Sequence, residues 1–247
     1  MILNSINVKH ILDKELENLP KYLKPKDNIV IAGGFAAYIY YKLNNFIVDD
    51  SKTYSDLDYF RIGNSHGSEL DFLFSNFKNI RCINISAERS ILSLQRDSEH
   101  ANTFTLDQGS IEYDKRFNMP IQGIKYRYPS VKEMFSAFDL HNSQAVIVGD
   151  ELVYSNEFEL STRNFKISCA NKSFFSEGKC NQSMMFQFNR VMKYLCLMNS
   201  LSKGESSSKI DDYLSETLMD FLLKIENLDK NYWKRNDRYV NVYYGRT

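Results

Sequence analysis

The stretch whose reading decides the fold is IVIAGGFAAYIYYK (29–42), followed after a polar insert by YSDLDYF (54–60). Its first part reads as a short apolar strand over 28–32, a Gly33-Gly34 turn and a helix over 35–43. A strand that feeds a Gly-Gly turn into a helix presents backbone N–H groups at the positive end of the helix dipole. No Cβ keeps a phosphate away there. The second part reads as a strand over 55–62, closed by Gly63-Asn64-Ser65. In a strand the side-chain period of two puts Asp56 and Asp58 on one face and Leu57 and Tyr59 on the other. Paired carboxylates beside a phosphate cradle suit Mg²⁺, a hard cation that commonly bridges one or two carboxylates to substrate phosphates.

Working outward, Val8, Ile11, Leu12, Leu16 and Leu19 recur at helical spacing up to Pro20, which predicts an N-terminal amphipathic helix. Beyond the central motif, residues 69–77 read as helix, 80–85, 102–106 and 121–128 as strands, and 131–138 as a helix entered through Pro129-Ser130. Residues 144–148 and 151–154 flank Gly149-Asp150, the strongest hairpin signal in the chain. After about residue 182 the pattern turns helical. Met184, Phe188, Val191, Leu195 and Met198 make one stripe, and Ile210, Tyr213, Leu214, Leu218, Phe221, Leu222 and Ile225 make another, with a Ser-rich linker over 200–208 between them. The expected architecture is an α/β domain over 1–182, a mixed sheet flanked by helices, and a helical C-terminal part over 183–247.

The chain has 247 residues, with 31 Lys+Arg against 31 Asp+Glu, 43% hydrophobic and 25% charged residues. That composition supports a sizeable core and lies far from the disordered class. The balanced charge argues against a protein that coats long nucleic acid or an acidic membrane. The four cysteines, Cys82, Cys169, Cys180 and Cys196, show no C-x-x-C spacing, and His10, His66, His100 and His141 form no pair at metal-ligand spacing. No basic-then-apolar leader is read, and the longest apolar stretch falls short of the ~20 residues that span a bilayer. The expectation is a cytoplasmic protein without a membrane partner. P-loop, dinucleotide-fold, zinc-protease and hydrolase-elbow motifs are absent.

On Gly33-Gly34 and Asp56-Leu57-Asp58, in the order strand, Gly-Gly, helix, strand, the chain resembles the nucleotidyltransferase superfamily that includes DNA polymerase beta, the tRNA CCA-adding enzymes and the minimal nucleotidyltransferases. More loosely, through PIQGIKYRYPSVKEMFSAFDLHNSQAVIVGDELVY (120–154) and NRVMKYL (189–195), it is similar to nucleotidyltransferase-like proteins of phages and large DNA viruses. The resemblance implies a nucleotidyltransferase-fold sheet, Mg²⁺ (or Mn²⁺) held by Asp56 and Asp58, and transfer of a nucleoside monophosphate from an NTP to a hydroxyl of RNA, protein or a small molecule. Gly33 and Gly34 would hold the β- and γ-phosphates, with Ser55 as a hydroxyl contact beside them. The alternative is a catalytically weak relative that binds nucleotide, RNA or a protein.

Departures from the family pattern bear on that choice. Family enzymes place a third carboxylate on a neighbouring strand, and by order that position holds Gln122, whose amide cannot act as a base. Asp139 and Glu112 are the candidate substitutes. The Arg-Asp that follows Gly-Gly in the minimal enzymes is replaced by Ala36-Ala37. In the first C-terminal helix Arg190, Lys193 and Tyr194 are three and four residues apart and so share a face fit for a triphosphate or a stacked base. In the tail, Lys230, Lys234, Arg235, Arg238 and Arg246 alternate with Tyr232, Trp233, Tyr239, Tyr243 and Tyr244, a pattern suited to single-stranded nucleic acid or to packing on the body.

Overall fold

Strand Ile29–Ala32 (β2) is buried on both faces and therefore central: antiparallel partners lie on either side of it, Leu57–Ile62 (β3) and Ala145–Val148 (β8). The computed structural model describes residues 1–17, 19–26, 28–46, 53–63, 70–77, 84–87, 90–107, 119–175, 181–203 and 208–226. Around β2 the further strands are Leu3–Asn7 (β1), Asn84–Ala87 (β4), Ser90–Asp97 (β5), Ala101–Asp107 (β6), Ile121–Tyr128 (β7) and Glu151–Ser155 (β9). Among the described residues they form one nine-stranded sheet in the order β1-β9-β8-β2-β3-β7-β6-β5-β4. The sheet is mixed, because β3 and β7 run parallel while their other neighbours are antiparallel.

The helices are Lys9–Glu15 (α1), Gly34–Leu43 (α2), Val131–Ser136 (α3), Asn156–Arg163 (α4), Asn181–Leu201 (α5) and Asp212–Glu226 (α6). Residues 35–41 of α2 are all buried, as a helix that is apolar all round must be. One face of the sheet, with Ile29, Ile31, Leu57, Tyr59, Ile121 and Ile147, shares a core with α1, α2 and α4 and with Val191, Met198, Leu214 and Leu218 of α5 and α6. The other face carries a smaller cluster in which Val30, Ala32, Phe60 and Val146 pack on Met134 and Phe135 of α3. The α/β architecture with helices on the sheet and a helical C-terminal part is as the sequence predicts. The boundary expected at 182/183 falls in the first turn of α5, and α5 belongs to the main core.

Several elements differ from expectation for identifiable reasons. The N-terminal helix is shorter than the apolar spacing suggests: Leu16 and Leu19 are buried beyond its end. It is preceded by β1, whose sequence LNSIN carries no strand signal of its own and is ordered by its ladder to β9. Residues 71–74 form a 3-10 turn and not an α-helix. The buried Asn102 amide donates to the carbonyl of Leu73 at 3.0 Å and of Ser75 at 2.7 Å, which draws this segment onto β6. β5 forms where the sequence reading places no strand, and Leu92, Ser93 and Leu94 on it are all buried. Helix α4 was also missed, although Ser155 caps it by accepting from Phe158 N at 2.9 Å. The parallel pair Lys166–Ile167 (β10) and Lys209–Ile210 (β11) is too short to leave a sequence pattern.

The hairpin over Gly149-Asp150 forms as read, with Gly149 at φ 57°. Residues 47–52, 64–69, 78–83, 108–118, 176–180, 204–207 and 227–247 lie outside the described residues. With them lie Glu112, Cys82, Cys180, His66 and the basic aromatic tail, and the side chains of Met184, Phe221, Leu222 and Ile225. Among the described residues, no helix is long and apolar enough to cross a membrane.

Candidate active site

The site grows from the end of β2. Gly33 takes φ 76°, ψ −131°, a conformation that favours glycine; its N–H donates to Ala145 O at 3.1 Å and its carbonyl opens α2 by accepting from Ala37 N at 3.0 Å. A Cβ at Gly33 would lie 3.6 Å from Asp58 Oδ2, so the turn and the carboxylate adjoin. At Gly34 a Cβ would stand 3.2 Å from Tyr54 Cβ. Tyr54 is buried, edge-on to Phe35 with ring centres 5.0 Å apart, and 5.1 Å from the ring of Tyr38. Two side chains of α2 thus grip the residue that leads into Ser55 and Asp56. Sequence reading missed Tyr54; its signal was an aromatic residue entering the Asp-x-Asp opposite a glycine.

Register brings the rest together. Ala32 pairs with Asp58 and Asp58 with Gln122, so Asp58 and Gln122 share the sheet face of Ala32. Asp56 lies just before β3 and not within it, yet its carboxylate joins them: Gln122 Nε2 donates to Asp56 Oδ2 at 3.0 Å, and exposed Ser55 Oγ donates to Asp56 Oδ1 at 3.3 Å. Burial, and then the nearby Asp56 charge, push the Asp58 carboxyl up to about 7, against the pull of Arg190 and Lys193. The two acids are therefore close enough to repel, and α5 faces them with cations.

On α5, Arg190 Nε lies 3.2 Å from Asp139 Oδ2. Burial works against the Arg190 charge, but Asp139, Tyr194 and Asp58 outweigh it, and the guanidinium is held above its ordinary value. Tyr194 is buried one turn on; burial raises its hydroxyl, against the pull of the Arg190 charge. Lys193 is exposed and near enough to act on Asp58. Thus Gly33, Gly34, Ser55, Asp56, Asp58, Arg190, Lys193 and Tyr194 gather around one end of β2 and β3. Asp139 is in the neighbourhood, but its carboxylate engages Arg190. Among the described residues no group of three His, Cys, Asp or Glu converges on one point. The residue that does arrive at Asp56 is Gln122. His141 turns to Gln144, with Nδ1 2.9 Å from Oε1.

The donor set fits a hard divalent cation: two mutually repelling carboxylates whose remaining coordination positions a phosphate would fill. Gly33→Ala is expected to cost about 1–3 kcal/mol through its positive φ and to place a methyl against Asp58. Urea unfolding measures the first effect and nucleotide titration the second; a variant as stable as the parent would contradict the assigned turn.

No protein-family model and no curated protein matches the chain. Among solved structures it is similar to the CCA-adding enzyme of Thermotoga maritima complexed with tRNA, at 11% identity and a TM-score of 0.46, covering 91% of this chain and 47% of that one. It is also similar to a CCA-adding enzyme in complex with ATP, again at 11% and 0.46, covering 95% of this chain and 50% of that one. This chain spans about half the length of either.

Proposed function

We propose that the chain is a metal-dependent nucleotidyltransferase that moves a nucleoside monophosphate from an NTP to a hydroxyl acceptor, releasing pyrophosphate and the acceptor's proton. The observation that carries this reading is the convergence of Asp56 and Asp58 beside the Gly33 turn, facing Arg190 and Lys193. Asp56 and Asp58 would hold Mg²⁺ or Mn²⁺, which when bound supplies charge stabilisation at phosphoryl oxygens and acidifies an acceptor hydroxyl. The chain's own residues do the positioning. The N–H groups at Gly33-Gly34 and the start of α2 would take the β- and γ-phosphates. Arg190 and Lys193 would neutralise the triphosphate from the opposite side, leaving Asp56 and Asp58 to orient the α-phosphate and the attacking oxygen. Gln122 fixes the rotamer of Asp56 through its amide hydrogen bond.

That same bond favours a second reading, a nucleotide-binding module without turnover, because a neutral amide stands where a base would help remove the acceptor proton. The likeness to CCA-adding enzymes does not select the acceptor, so RNA, protein and small molecules all remain in the proposal. The experiment incubates purified protein with Mg²⁺, each α-labelled NTP in turn, and total cellular RNA, protein and small-molecule extract. A labelled acceptor is the expected result. NTP binding without any labelled product would establish the second reading and overturn the first.

A further inference from the structure

We infer that Asp139 is a positioning residue, whose buried carboxylate fixes the Arg190 guanidinium so that its remaining N–H groups face the phosphates bound beside Asp58. The inference rests on the nucleotide reading above and assigns Asp139 a role other than that of a third metal-binding carboxylate. The Asp139 side chain is 4% exposed while that of Arg190 is 37% exposed, so the pair has a closed end and an open end. The closed end is anchored. Asp139 Oδ1 accepts from Leu140 N at 2.9 Å, and its main-chain carbonyl accepts from Ala170 N at 2.8 Å. Asp139 Oδ2 stands 3.2 Å from Arg190 Nε as an ion pair and accepts no hydrogen bond among the described residues, so charge and not a directed bond holds the guanidinium beside it.

Arg190 shares its face of α5 with the exposed Lys193, three residues on, and both cations lie near enough to act on Asp58. Tyr194, one helical turn further along α5, is buried beside Arg190, whose charge acts on its hydroxyl. A free arginine samples many rotamers and must be ordered when an anion binds. One paired with a buried carboxylate has lost part of that freedom beforehand, and its planar fork then offers ordered donors to phosphate oxygens.

Positioning and simple neutralisation predict opposite signs. If Asp139 only cancelled the charge of Arg190, removing its own charge would make the site more positive and tighten phosphate binding. If it holds the guanidinium in place, the same change weakens binding despite the added positive charge. Asp139→Glu keeps the charge and moves the carboxylate by one methylene, so neutralisation predicts no change and positioning predicts a loss.

The test measures dissociation constants of the full chain for magnesium tripolyphosphate and for each of the four MgNTPs. Asp139→Asn, Asp139→Glu, Arg190→Ala and the Asp139→Asn/Arg190→Ala double variant are compared with the parent. Both Asp139 variants are expected to bind about tenfold more weakly, in line with one charge-assisted hydrogen bond lost from register. The double variant is expected to bind no more weakly than Arg190→Ala, because Asp139 acts through Arg190. Tighter binding by Asp139→Asn, unchanged binding by Asp139→Glu, or additive losses in the double variant would overturn the inference while leaving the nucleotide reading intact. A parent protein that binds none of the probes overturns the nucleotide reading and the inference with it. Should Asp139→Asn not fold, Asp139→Glu against Arg190→Ala decides the matter alone.

Discussion

Replacing Asp56 and Asp58 by asparagine is expected to abolish transfer and, at the same time, to make the protein more stable above neutral pH. The activity loss follows from the site. Both groups that could hold a divalent cation go, and with them several kcal/mol of charge stabilisation, so the rate falls by about a thousandfold or more at ~1.4 kcal/mol per factor of ten. The stability gain follows from the raised Asp58 carboxyl. Its folded value of about 7 stands above the ordinary 3.8, so between those limits the folded state holds a proton that the unfolded chain releases. Stability therefore falls as pH rises from ~4 to ~7, and the full penalty persists above that.

The rise of the Asp58 carboxyl from 3.8 to about 7, reduced for the water that reaches a half-buried carboxylate, leaves about 2 kcal/mol recoverable at about pH 8 by Asp58→Asn. Thermal unfolding of parent and variants at about pH 5 and about pH 8 checks the sign. Added Mg²⁺ should raise the Tm of the parent more at the higher pH and leave the double variant unmoved. A double variant that transfers nucleotide at the parent rate, or unfolds earlier than the parent at high pH, would contradict the assignment of the pair.

The largest loss of stability is expected at Gly123, in β7 beside Gln122. A Cβ there would lie 2.1 Å from the carbonyl oxygen and 2.7 Å from the carbonyl carbon of Leu73. No rotamer relieves contact with a main chain, so either β7 or the 70–77 segment must move. That carbonyl also accepts from the buried Asn102 amide, and shifting it leaves a buried donor short of its partner. Overpacking costs about 1–3 kcal/mol and an orphaned buried polar group about 1–3 kcal/mol. Gly123→Ala should therefore lose about 3 kcal/mol in urea unfolding, and the displaced strand should also weaken the bond from Gln122 to Asp56. Gly63 serves as the comparison: at φ 66° with no atom of the described residues within 4 Å of its Cβ position, its alanine variant should lose only the backbone contribution, about 1 kcal/mol. Equal losses at the two glycines would show that β7 and the Leu73 segment are not packed as described.

Much of the fold was legible because its central elements announce themselves locally. An apolar strand, a glycine turn, a buried helix and an Asp-x-Asp strand each follow from residue order within a few positions, as does the Gly149-Asp150 hairpin. The nearness of Asp56 and Asp58 to the Gly33 turn was legible for the same reason, and Gln122 was placed by counting strands. What escaped depends on partners distant in sequence. Strand β1 is a strand only because β9 offers it a ladder, and residues 71–74 are not an α-helix because Asn102 claims the nearby carbonyls.

The sequence by itself determined the local units and the residue types: a Gly-Gly turn between strand and helix, two carboxylates, a basic face on α5. Tertiary structure alone decided their partners. It seats Asp56 outside the strand and against Gln122, sets Asp58 beside Gly33, and turns Asp139 toward Arg190 instead of toward the two acids. The physical reason is that strand register and helix docking are chosen by burial of the whole core, so which side chains meet at the rim is settled by long-range packing and not by spacing along the chain.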